Sequence, residues 1–168
     1  MADQEPLAWA ESIHGSLVLL PIEDVDSFEL VEQSVDLEVD PLVEGVVGTM
    51  DVGAGINLVL AKLDSATLLP VEEGAVLLQP LEGPSFEEDA EVTFALVDGI
   101  PASAWKDSGL VLPISEGLAL FDSCAPDFEA IEEAGVFVEL PEGEYAVETI
   151  LGYRSSGLVA NLMRFRLI

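Results

Sequence analysis

Short apolar runs alternate along the chain with turns made of glycine, proline and acidic residues, which is the pattern of strands rather than of long helices. "SLVLLPI" (16–22) is a continuous apolar run of the kind expected for a buried strand. "VEGVVGTMDV" and "INLVLAKL" flank "GAG", which predicts a hairpin with Gly53 and Gly55 supplying positive φ. "TLLPV" and "AVLLQPL" flank "EEG" and predict a second hairpin. "LVLPI" and "LALFDS" flank "SEG" and predict a third. A last pair, "YAVETILGY" and "LVANLMRFRLI", is joined by "RSSG".

Two segments fit both periods. "EDVDSFELVEQSVDLEVD" (23–40) places Phe28, Val31 and Val35 at helical spacing, then Val35, Leu37 and Val39 at strand spacing. It reads as a helical turn or loop followed by a short strand. In "SFEEDAEVTFALVDGIPASAW" (85–105), Ser85 with Glu87 and Glu88 suits a helix start, yet Val92, Phe94 and Leu96 alternate with Glu91, Thr93 and Ala95. That alternation favours a strand. The expected fold is mainly β, with α+β as the alternative: one domain over residues 1–168, antiparallel hairpins forming a sandwich or a curved sheet, and one or two short helices.

Charge changes this picture. The 168 residues carry 33 Asp and Glu against five Lys and Arg, a formal charge of -28, while half are hydrophobic. Disorder requires low hydrophobicity as well as high charge, and mean hydropathy here is positive. The expectation is a packed interior under an anionic exterior. Such an exterior repels phosphates, so direct nucleic-acid binding and anionic membranes are disfavoured, and a basic protein is the expected partner class. No apolar run approaches the roughly 20 residues of a membrane span. "MADQEPLAWAES" has neither the basic nor the apolar region of a secretory signal, and Cys124 is the one cysteine, so a cytoplasmic, monomeric protein is expected.

Three of the five cations, Arg154, Arg164 and Arg166, fall in the closing hairpin. Arg164 and Arg166 lie two apart and share one strand face, as do Glu144, Ala146 and Glu148 on the preceding strand. Cross-strand ion pairs follow, each worth a few tenths to about 1 kcal/mol.

Catalytic constellations are scarce. His14 is the single histidine, which excludes a site built on several imidazoles; a Ser-His-Asp or Cys-His site would have to use it. Cys124 in "FDSCAPD" is flanked by carboxylates, which raise a thiol pKa and favour an inert thiol. "GTMDVGAG" lacks the lysine of a phosphate-binding loop. The acidic clusters lack the glycine and terminal glutamate offsets of a calcium loop. No metal or cofactor is expected. Acidity alone fits a second reading, a structural or interaction domain whose charge serves solubility only. As a binding surface, the densest cluster is Glu23, Asp24, Asp26, Glu29 and Glu32, continuing through Asp36, Glu38 and Asp40. Glu87, Glu88 and Asp89 form a second, and Glu129, Glu132 and Glu133 a third.

Several pieces recur in a known order. "WAESIHGSLVLLP" carries Trp9, Ser12, Gly15, Leu17, Leu19, Leu20 and Pro21. The hairpin "VEGVVGTMDVGAGINLVLA" follows, then Ala104 and Trp105 ahead of "GLALFDS" with Phe121, Asp122 and Ser123. "LPEGEYAVET" holds Leu140, Pro141, Gly143 and Tyr145, and "LMRFRL" closes the chain. In this order they resemble the immunity protein 21 family of bacterial polymorphic toxin systems. The resemblance implies a non-enzymatic cytosolic antidote. Its partner would be the catalytic domain of a cognate toxin, in many such systems a nuclease or another nucleic-acid-modifying enzyme. Residues 23–40 and 85–100 depart from the family pattern.

Overall fold

The computed structural model describes residues 9–11, 16–28, 40–43, 47–52, 55–60, 65–82, 90–155 and 158–168. The first half of the chain forms β1 (Ala10–Glu11), β2 (Leu17–Pro21), a 3-10 helix (Ile22–Ser27), β3 (Asp40–Val43), β4 (Val47–Val52), β5 (Gly55–Leu60), β6 (Ser65–Val71) and β7 (Gly74–Glu82). The second half forms α1 (Ala90–Asp98), a 3-10 turn (Ala102–Ala104), β8 (Lys106–Ile114), β9 (Gly117–Asp122), α2 (Phe128–Ala134), β10 (Val136–Glu139), β11 (Gly143–Ser155) and β12 (Leu158–Leu167). The strands make two six-stranded antiparallel sheets. Sheet one has the order β1-β6-β7-β12-β11-β8, and sheet two the order β10-β9-β2-β5-β4-β3.

The sheets pack face to face, and this is a sandwich. Leu17, Leu19, Leu58, Leu118 and Leu120 of sheet two meet Leu68, Leu77, Leu112, Tyr145 and Phe165 of sheet one in one buried cluster. Two further clusters lie on the outer faces. On sheet one, Leu69, Val76, Leu78, Ala160 and Leu162 are covered by Leu96 and Val97 of α1. On sheet two, Val18, Leu20, Val59, Ala119 and Phe121 are covered by Phe28 and by Ile131 of α2. Strands buried on both faces read as unbroken apolar runs, which explains "LVLLP", "AVLL" and "LALF".

Three of the predicted hairpins form: β4 with β5, β6 with β7, and β11 with β12. Gly53 lies outside the described residues. The "SEG" hairpin does not form. β8 pairs with β11 in sheet one, whereas β9 pairs with β2 and β10 in sheet two, so Ser115 and Glu116 carry the chain from one sheet to the other. A tight glycine turn between apolar runs suits either arrangement locally, and the partners that decide are distant in sequence.

The expected strand around Val92–Leu96 is instead the helix α1. Thr93, Leu96, Val97 and Ile100 follow helical spacing, and this row turns toward sheet one, with Thr93 fully buried. The segment expected as a helical turn or loop opens with the 3-10 helix Ile22–Ser27, after which Phe28 is extended; Val31, Val35 and the strand expected at Val35–Val39 lie outside the described residues.

The Leu-Pro-x-Gly-x-Tyr stretch has a packing explanation. Tyr145 is fully buried, and its hydroxyl donates to the Pro141 carbonyl at 2.6 Å. Burial also pushes the phenol pKa above its ordinary value.

Candidate functional site

The outer side of sheet two is roofed by two short helical elements. Pro21 ends β2 and stands at the start of the 3-10 helix, whose closing Phe28 is buried edge-to-face against Phe121, with ring centroids 5.4 Å apart. α2 is capped by Asp127, whose carboxylate accepts the Ala130 N–H at 2.9 Å. At its other end the Gly135 N–H donates to the Ile131 carbonyl. Ile131 is the one buried side chain of α2 and pins it to β9. With one anchor facing inward, Glu129, Glu132 and Glu133 are left exposed.

Six of the predicted binding carboxylates sit on this roof. Glu23, Asp24 and Asp26 belong to the 3-10 helix, on the same side of sheet two as Glu129, Glu132 and Glu133 of α2. Glu23 is engaged by the chain itself. Its Oε1 and Oε2 accept the Ser115 N–H at 2.9 and 3.0 Å, and Oε2 accepts the Glu116 N–H at 3.2 Å. Burial, and secondarily the charge of Glu23, raise the Asp24 carboxyl above the usual carboxylate range. Asp26 is exposed. Asp40 opens β3. Glu29, Glu32, Asp36, Glu38, Glu87, Glu88 and Asp89 lie outside the described residues, as does His14.

Opposite charge is kept elsewhere. The described cations, Lys106, Arg154, Arg164 and Arg166, stand on β8, β11 and β12, all in sheet one; Lys62 lies outside the described residues. Neither the described strands of sheet two nor the two helical elements above them contain a lysine or arginine.

The terminal arginines pair across strands as expected, but through one carboxylate. Glu148 sits opposite Arg164 in the register, and its Oε1 accepts Nε of Arg164 and Nε of Arg166, each at 3.0 Å. Arg164 also lays its guanidinium over the Trp105 ring, 4.7 Å from the centroid. The Glu148 hydrogen bond and then its charge raise the Arg166 pKa; desolvation opposes them, and the more distant charges of Glu73 and Asp107 add to the rise.

Two features of the acidic side were not singled out in the sequence: the exposed rings of Phe128 and Phe137. The signal was available in "VFVE", where period-two alternation buries Val136 and Val138 and turns Phe137 to the same side as Glu139.

Cys124 is half-buried, and its N–H donates to Asp122 Oδ1 at 2.8 Å. Among the described residues, no three or more His, Cys, Asp and Glu side chains are grouped to hold a metal ion, and no helix is long and apolar enough to cross a membrane. No protein-family model, curated protein or solved structure matches this chain.

Proposed function

We propose that this protein is an inhibitor of the immunity type, binding the catalytic domain of a basic cognate toxin and covering its substrate groove with carboxylates. The observation that carries the reading is the separation of charge. The described part of sheet two and its helical roof present carboxylates without a single cation, while the described cations are confined to sheet one. Self-repulsion makes a one-signed face costly, and a role in attracting a cationic target gives that cost a purpose. Carboxylates spaced over a rigid sheet imitate the field of a nucleic-acid backbone, so a nuclease or other nucleic-acid-modifying enzyme is the fitting target class. The ordered resemblance to immunity protein 21 supports the same reading.

The test is to mix the purified protein with the toxin encoded beside it. A complex at physiological salt is expected, with an association rate that falls steeply as salt rises. If no complex forms at any salt, the charge serves solubility and the proposal fails.

A further inference from the structure

We infer that Phe128 and Phe137 are the apolar anchors of the interface, gripping the basic partner after the surrounding carboxylates have drawn it in. This rests on the proposed function and adds where, and by what contacts, the partner is held.

Phe128 is 44% exposed and Phe137 41% exposed. Both lie on the outer side of sheet two. Phe137 pairs in register with Ala119, which belongs to the cluster beneath Ile131 of α2. Its ring reaches the C-terminal end of the helix, because a Cβ placed on Gly135 would stand 3.1 Å from Phe137 Cε2. Phe128 begins the helix, so the helical rise puts it about 10 Å along the axis from Gly135. The two rings thus bracket α2, whose outward Glu129, Glu132 and Glu133 lie between them. Glu139 shares the outward side of β10 with Phe137.

Folding does not call for these rings. The core takes Val136 and Val138 from β10 and Ile131 from α2, and a polar side chain at either outward position would satisfy the pattern. Aromatic side chains ringed by charge are the usual anchors of protein interfaces. Complementarity selects the occupant. The carboxylates of α2 and Glu139 beside the rings oppose a second copy of this chain or any polyanion. They favour a protein surface whose arginines stack on the rings while pairing with the glutamates.

The two groups have separable kinetic roles. Rim charges set the association rate, and buried anchors set the dissociation rate. The experiment measures binding kinetics with an inactive form of the toxin encoded beside this protein. Phe128→Ala and Phe137→Ala, combined, are expected to speed dissociation about tenfold or more and leave association within about twofold. Glu129→Gln, Glu132→Gln and Glu133→Gln, combined, are expected to slow association and flatten its salt dependence. Hydrogen exchange on the wild-type complex is a second readout independent of variant folding, with protection expected across residues 128–139. A complex that leaves this segment unprotected, or whose dissociation ignores loss of both rings in a folded variant, overturns the anchors and leaves the proposed function standing. Absence of any wild-type complex overturns both.

Discussion

Glu23 fastens the backbone of Ser115, 92 positions away, by accepting its N–H with both carboxylate oxygens at 2.9 and 3.0 Å. Ser115 lies in the link where the chain leaves sheet one for sheet two, and the same carboxylate also holds Glu116. The acidic roof and the corner of the sandwich are therefore joined through one side chain. Glu23→Ala is expected to lower stability by about 1 kcal/mol, because the released N–H groups are exposed and find water. Glu23→Gln, which keeps one acceptor oxygen, is expected to lose less. Urea unfolding midpoints of the two variants check the order.

Gly117 opens β9 immediately after that corner. Its φ is +150°, and a Cβ there would stand 2.0 Å from the Val138 carbonyl oxygen. No side chain can give way to relieve a clash with backbone. Gly117→Ala is expected to cost about 3 kcal/mol or more by displacing β10 from β9, and thermal unfolding would register the loss.

On the other sheet, Glu148 balances two cations. Its side chain is 13% exposed and that of Arg164 is 18% exposed, so removing the carboxylate leaves a largely buried guanidinium over Trp105 without its counter-charge. Glu148→Ala is expected to destabilise by about 1–2 kcal/mol at low salt and by less at high salt. A shift in tryptophan emission should accompany it. Equal losses at both salt concentrations would show that packing, not charge, is what Glu148 contributes.

Asp24 supplies a pH signature. Its carboxyl pKa is raised above 3.8, so the folded protein holds this proton more tightly than the unfolded chain does. Ionising Asp24 therefore costs stability. The cost grows as pH rises from the ordinary carboxylate value through the raised one and is present in full at neutral pH. Asp24→Asn is expected to stabilise the fold at neutral pH, with the gain vanishing near about pH 3, where both states carry the proton. Unfolding midpoints of wild type and variant across that range provide the measurement.

The charge of the candidate site was countable in the sequence; its arrangement was not. Glu129, Glu132 and Glu133 stand out in "FEAIEEA", but their place beside Glu23, Asp24 and Asp26 depends on two separate elements resting on one sheet face. Phe137 was legible as the outward residue of an alternating strand. Its closeness to the end of α2 follows from two residues of chain; that ring and helix share the outer side of sheet two was not legible, since that depends on Ile131 seating α2 on the sheet.

Composition and local pattern were enough to establish a β protein, three of its hairpins, and strands apolar enough to be covered on both faces, because strand alternation and turn chemistry act over a few neighbouring residues. Which sheet each strand joined was decided only in the folded molecule. β8 and β9 are separated by two residues yet belong to different sheets, and the period-two run at Val92–Leu96 coils into a helix because sheet one offers an apolar face to Leu96 and Val97. Backbone pairing and burial are satisfied by distant partners, and the local chain carries no record of which partners those are.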